Sequence, residues 1–247
     1  MCFDSVRRMN ESDEVTQAVT WFWGSRASQS DAIGHSQGGA GRDAVVGGQH
    51  LNAIRDLIAN ELIRLGVPEA AIKIRGKWKN MPGYFRPTKN WDLALVNERQ
   101  EVVALFELKS MSSSYGNNAN NRTEEAIANS VELQYAVEKG YILVKPWLAY
   151  VFLIRDEAKS RKKPSRRSSA AYPIDPTFAN TSYVDRMAMV VHRLVKEGFY
   201  DAGWFVATVK PESVVQQATW SSPREDVSWE AFSTALQQLV ARHFGGT

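Results

Sequence analysis

Two apolar runs joined by a short turn constrain this chain more than any other feature in it. Trp91-Asp-Leu-Ala-Leu-Val96 reads as a strand, Asn97-Glu-Arg-Gln100 as a turn, and Val102-Val-Ala-Leu-Phe-Glu-Leu-Lys109 as the next strand. The first five residues of the second run are all apolar, as expected of a strand covered on both faces. A platform of that kind has no ordinary use for charge. An ionised side chain taken out of water costs roughly several kcal/mol unless it is paired or metal-bound. Yet the two runs hold Asp92, Glu107 and Lys109.

Glu107 and Lys109 stand two apart, so they project from the same sheet face. If the turn is centred between Glu98 and Arg99, opposed residues sum to 197 and Asp92 faces Leu105. Glu107 is then its diagonal neighbour, about 7–8 Å away. Two carboxylates reaching across that gap can share one hard cation such as Mg²⁺. Lys109, one pleat on, reaches an attacking water or a substrate phosphate. Two acids, a cation and an ammonium group suit the attack of water on a phosphodiester. The competing reading is a buried ion pair between Lys109 and Glu107 or Asp92. The Glu-x-Lys spacing alone decides little, for the chain repeats it in Glu157-Ala-Lys159. That copy lies in a polar segment with no aspartate at a suitable distance upstream.

The flanking pattern supplies the context. His50 to Leu65 reads as a helix with Leu51, Ile54, Leu57, Ile58, Leu62 and Leu65 on one stripe, ended by Gly66 and Pro68. Glu61 on that helix is a candidate auxiliary acid, or simply its polar edge. After the two strands comes a polar loop, Ser110 to Asn121. A helix then runs from about Arg122 to Lys139, with Asn121 as cap, Glu124 completing a capping box and Gly140 at its end. Trp147 to Ile154 is another apolar strand. The order helix, strand, strand, helix, strand implies an α/β fold, a mixed sheet flanked by helices. Outside this core a short helix is expected at Glu14–Trp23, a helix at Val184–Lys196, a strand at Trp204–Val209 and a last helix at Trp229–Phe244 capped by Ser228. No boundary splits residues 1–247, so one domain is expected, its core at about 50–155. Six glycines among residues 34–48 mark a flexible loop, which lacks the spacing of a phosphate-binding loop. Residues 155–169 form a basic, serine-rich loop.

Composition mainly excludes. The single cysteine rules out an intramolecular disulfide and a cysteine-rich zinc site, and the four histidines are scattered. No apolar run approaches the ~20 residues of a membrane span, and the first residues lack a signal core. A cytoplasmic protein is expected. A net charge of +3 says little about partners, so only local clusters argue for nucleic acid. Arg86 and Lys89 close one basic stretch ahead of Asp92. Tyr115-Gly-Asn-Asn-Ala-Asn-Asn-Arg122 follows the Glu-x-Lys strand. Asparagine pairs bidentately with adenine and arginine with guanine, so Tyr115, Asn117, Asn118, Asn121 and Arg122 are candidate DNA contacts. A turn rich in asparagine is the simpler reading of that block.

These residues also carry a resemblance. Gly83-Tyr-Phe-Arg-Pro-Thr-Lys-Asn-Trp-Asp-Leu93, Glu107-Leu-Lys-Ser110, Tyr115 to Ile127, Pro146-Trp-Leu-Ala-Tyr150 and Thr181-Ser-Tyr-Val-Asp-Arg186 resemble blocks of the XhoI-type restriction endonucleases of the PD-(D/E)XK class. The resemblance implies a bacterial or archaeal homodimer that cuts a palindromic duplex site, usually CTCGAG, with a companion DNA methyltransferase. It implies catalytic roles for Asp92, Glu107 and Lys109, with Mg²⁺ held by Asp92, Glu107 and the Leu108 carbonyl, and products with 5′-phosphate and 3′-hydroxyl ends. Met111-Ser-Ser-Ser114 and the 155–168 segment depart from the family pattern. A repair or structure-specific nuclease with the same core, or a non-catalytic DNA-binding module, is the alternative.

Overall fold

The computed structural model describes residues 11–34, 49–164, 171–213 and 215–245. Five α-helices lie in these residues: α1 (Glu11–Gly34), α2 (Asn52–Arg64), α3 (Tyr115–Glu138), α4 (Tyr183–Lys196) and α5 (Trp229–His243). The strands are β1 (Ile72–Lys73), β2 (Asn80–Pro82), β3 (Thr88–Asn90), β4 (Leu93–Val96), β5 (Val102–Met111), β6 (Trp147–Arg155), β7 (Ala202–Val209) and β8 (Thr219–Ser221). A six-stranded mixed sheet has the order β1-β4-β5-β6-β7-β8, and β2 and β3 form a separate hairpin. The β5-β6-β7 centre is parallel and the flanking pairs are antiparallel. The expected α/β fold with a mixed sheet between helices is therefore present.

Each face of the sheet is covered, which is why the central strands read as continuous apolar runs. On one side Phe106, Leu108, Val151 and Trp204 pack with residues of α1, α2 and α5. Trp229 and Phe232 of α5 lie 4.7 and 6.0 Å from the Trp204 ring. On the other side Leu105, Tyr150 and Phe152 pack with residues of α3 and α4. Gly203 of β7 lets α4 come close, since a Cβ there would stand 2.6 Å from Val191 Cγ1. Helix α1 is longer than the expected span, and Val15, Val19, Phe22 and Trp23 are buried along it. Helix α2 ends as its sequence requires. Gly66 takes φ +103°, the Val67 N–H donates to the Leu62 carbonyl at 2.9 Å and the Gly66 N–H to Ile63 at 2.9 Å.

Two expectations need correction. The register of β4 on β5 pairs Leu93 with Phe106 and Leu95 with Ala104, a sum of 199 in place of 197. The connection is one residue longer than a symmetric four-residue turn, with the Asn97 N–H on the Glu101 carbonyl at 3.0 Å and Gln100 at φ 62°. Val103 then bulges, because Val96 pairs with Val102. Each change moves the sum by one, so the face is kept. The ladder ends at Leu93, and Asp92 lies just before it, its N–H donating to the Phe106 carbonyl at 3.0 Å.

The second concerns the asparagine-rich block, which is no loop. Helix α3 starts at Tyr115, with Ser114 at φ 51° before it and no side-chain cap. Tertiary anchoring overrides the weak helix propensity of asparagine. Tyr115 is buried and its hydroxyl donates to Glu157 Oε1 at 2.8 Å, while its ring stacks on Tyr183 at 6.0 Å. The glycine-rich segment lies outside the described residues apart from Gly34, the last residue of α1. Of the basic loop, Arg155 closes β6 and pairs with Glu157 at 3.1 Å, and Arg161 is held by Asp156. Residues 165–170 are outside the described set. Among the described residues no helix is long and apolar enough to cross a membrane.

Candidate active site

Strand β5 alternates cleanly at its end. Phe106 and Leu108 turn to the face shared with α1, α2 and α5, while Glu107 and Lys109 turn to the α3 face beyond Leu105. Glu107 is fully buried there, at 0% exposure. Its Oε1 is paired with the Lys109 ammonium and accepts from Asn129 Nδ2 at 3.2 Å; its Oε2 accepts from Lys89 Nζ at 2.7 Å. Tyr150, Glu107's partner on β6, walls the carboxylate in on the far side. The ion pair of the competing reading is thus present, but so are a second ammonium and a second acid.

That acid is Asp92. Its N–H donates to the Phe106 carbonyl at 3.0 Å, and its Oδ2 accepts from the Leu108 N–H at 2.7 Å. Burial raises the Asp92 pKa and the charge of Glu107 adds to the rise, against the Leu108 N–H, Lys109 and Lys89. An acid strained in this way gains most from a cation between the two carboxylates. In an extended strand the N–H and C=O of one residue share an edge, so the Leu108 carbonyl faces the Asp92 side as well. Two carboxylates and a carbonyl are hard oxygen donors, a set that would suit a hard divalent cation. Among the described residues no three or more His, Cys, Asp or Glu come together as a metal cage.

Lys89, expected at the DNA surface, is instead drawn inward. It is 11% exposed, lies 4.8 Å over the Trp91 ring, and burial lowers its pKa despite Glu107. Arg86 sits at the rim, donating to Asn129 Oδ1 at 2.7 Å. Tyr115 is buried, with its hydroxyl turned to Glu157. Asn117 and Asn121 are exposed on the first turns of α3; Asn118 Nδ2 is used on the Ser113 carbonyl at 2.8 Å, and Arg122 pairs with Glu125. Glu61 is not part of the cluster. It lies across the sheet in the other core, 2% exposed, held by Arg64 and by Ser233 Oγ at 2.9 Å. Helix α2 must turn its apolar stripe to that face, and Glu61 goes with it.

Sequence reading missed Asn129 and Glu132. Both are buried on α3, where Asn129 interrupts the stripe of Ala126, Leu133 and Ala136. A polar residue in an apolar stripe was the available signal. Glu132 Oε1 accepts from the N–H groups of Tyr84, Phe85 (2.8 Å) and Arg86 (3.4 Å), fixing the turn between β2 and β3. Only glycine fits at 83, because a Cβ would stand 2.4 Å from the Arg86 carbonyl oxygen as well as from that Glu132 oxygen.

His50 was also passed over. It is buried beside α1, 2.9 Å from Ser110 Oγ at the end of β5. Burial, then the charges of Arg26 and Arg122, hold its pKa down to about 4. The folded chain therefore binds fewer protons here than the unfolded chain, whose histidine titrates near 6.5. Its contribution is intact above about pH 6.5 and is lost as the pH falls toward 4, up to about 3 kcal/mol. In urea unfolding between pH 4 and 7, His50→Gln is expected to lose stability less steeply with acid than wild type. Equal slopes would remove His50 from the account.

The class so defined is a mixed α/β protein with an acid-acid-lysine cluster set into a buried sheet. The model of the family described as restriction endonuclease XhoI matches residues 29–221. The chain is 34% identical over 204 residues to the type II restriction enzyme XhoI of Xanthomonas vasicola, covering 81% of this chain and 78% of that protein. It is 32% identical over 207 residues to the type II restriction enzyme BstVI of Geobacillus stearothermophilus, covering 81% and 91%. To the type II restriction enzyme AbrI of Azospirillum brasilense it is 31% identical over 176 residues, covering 67% and 78%. No solved structure matches at a significant level. The chain belongs to the XhoI family of type II restriction endonucleases.

Proposed function

We propose that the chain is a magnesium-dependent endonuclease that cuts double-stranded DNA at a short palindromic site, CTCGAG or a relative of it. The observation that carries this reading is the convergence of Asp92, Glu107 and Lys109 at the end of β5. Asp92, Glu107 and the Leu108 carbonyl would hold the cation, which when bound supplies Lewis acidity to the phosphate and to water. Lys109 orients the attacking water or takes its proton. The new bond forms between that water's oxygen and phosphorus, the P–O3′ bond breaks, and the 3′ oxygen leaves with a proton. The ends are 5′-phosphate and 3′-hydroxyl. The cluster and its order of elements support placement in the PD-(D/E)XK class, as a single domain over residues 1–247. A palindromic target is matched by a two-fold homodimer, and a host that keeps such an enzyme in its cytoplasm needs a methyltransferase to shield its own sites.

Digestion of a sequenced plasmid with Mg²⁺, followed by end mapping, tests this. Discrete bands with 5′-phosphate termini at one repeated sequence are expected. A smear without a fixed sequence would replace the reading with a repair or structure-specific nuclease. Duplex binding that ignores Mg²⁺, with no cutting, would leave only a DNA-binding module.

A further inference from the structure

We infer that Lys89 is a second catalytic ammonium, supplying the positive charge that a two-metal site would take from a second ion, so that each active site works with one divalent cation. The inference rests on the nuclease reading above and extends it to a residue outside the Asp92, Glu107, Lys109 set.

The geometry comes first. Lys89 Nζ lies 2.7 Å from Glu107 Oε2, while Lys109 takes Oε1, so the two ammonium groups flank one buried carboxylate. Lys89 arrives from a different element, the β2-β3 hairpin, where it pairs with Met81. The hairpin is pinned at both ends. At its open end the Trp91 N–H donates to the Lys79 carbonyl at 2.8 Å and Lys79 Nζ to the Trp91 carbonyl at 2.9 Å. At its turn Glu132 holds the backbone N–H groups. The Trp91 ring under Lys89 at 4.8 Å leaves its ammonium few places to go. A solvated basic residue meant only for surface phosphates has no need of such fixing. A charge meant to meet a transition state does.

Charge counting gives the role. Asp92 and Glu107 against Lys89 and Lys109 sum to zero. A phosphodiester carries one negative charge and an attacking hydroxide equivalent brings a second. One divalent ion balances those two. A second ion would leave two uncompensated positive charges in a buried site, and removal of Lys89 would leave one uncompensated negative charge. With a cation on Glu107, the Lys89 ammonium would keep its place beside the carboxylate and offer its charge to a non-bridging phosphate oxygen.

The test counts ions and cuts in parallel, on the full chain. Mn²⁺ binding by electron paramagnetic resonance is expected to give one ion per wild-type chain. Lys89→Gln removes a cation that competes for Glu107, so it should bind Mn²⁺ about tenfold more tightly. Its single-turnover cutting with Mg²⁺ should nevertheless fall about 10²–10³-fold. A merely structural role would weaken both together. Lys89→Arg, which keeps the charge, should recover at least about a tenth of wild-type cutting, and Lys89→Met should not. Two Mn²⁺ per wild-type chain, a Lys89→Gln enzyme that cuts like wild type, or equal loss in the arginine and methionine variants would overturn the inference and leave the nuclease reading standing. A wild-type chain that binds no Mn²⁺ and leaves DNA whole would remove both.

Discussion

Lys109→Ala is expected to slow single-turnover cutting of duplex DNA about 10³-fold or more, while DNA affinity stays within about threefold of wild type. The argument is local. Lys109 is a half-buried residue whose ammonium pairs with Glu107 Oε1 at the end of β5. On the proposed mechanism, removing it takes away the ammonium that orients the attacking water, but none of the exposed asparagines of α3 and none of the backbone hydrogen bonds that hold the strand. Glu107 keeps Lys89 and Asn129 as partners, so the buried carboxylate is not stranded. Loss of the ammonium therefore falls on the rate and spares folding. Filter binding in the absence of Mg²⁺, alongside quenched-flow cleavage, separates the two. A Lys109→Ala enzyme that cuts at the wild-type rate would discard its assignment.

Glu132→Ala is expected to remove about 2–4 kcal/mol of stability and to slow cutting at least about tenfold. The carboxylate is buried and satisfies backbone N–H groups from Tyr84, Phe85 and Arg86. Alanine would leave those donors at a partly exposed turn with only water as acceptor, and would take away a buried carboxylate that the turn folds around, together about 2–4 kcal/mol. Gly83, packed against the same oxygen, would face a cavity. The loosened turn carries Arg86, whose guanidinium lies 3.6 Å from Glu132 Oε2, and leads into Lys89, so the loss spreads to the site. Glu132→Gln keeps one acceptor oxygen and should lose roughly half as much stability. Urea unfolding of the three proteins, paired with their cleavage rates, checks the order. A Glu132→Ala protein as stable as wild type would refute the clamp.

Some of this was visible in the chain itself. The central β4-β5-α3-β6 order follows from apolar runs that only a covered sheet can hold. Glu107 and Lys109 share a face because side chains alternate along a strand. Asp92 lies beside them, but the register of β4 was misjudged, because a symmetric turn cannot foretell the extra residue at Glu101 or the bulge at Val103. The start of α3 was misjudged for a related reason. Asparagine runs read as turns, and what makes Tyr115 begin a helix is its burial against Glu157 and Tyr183, which lie 42 residues or more away in the chain. Lys89 looked like surface charge because its fate is set by the β2-β3 hairpin, whose strands are three residues each and carry almost no periodicity. Glu61 looked available because a helical stripe fixes which face is apolar, but not which side of the sheet that face will meet.

Diffraction from crystals of the chain bound to a duplex carrying its target, soaked in Mn²⁺ and recorded at the manganese edge, tests the central claim most directly. The account predicts one anomalous peak per protomer, bonded to a carboxylate oxygen of Asp92 and one of Glu107, with Lys109 beside the scissile phosphate. Occupancy of that position by the Lys89 and Lys109 ammonium groups alone, with manganese bound elsewhere or nowhere, would contradict it.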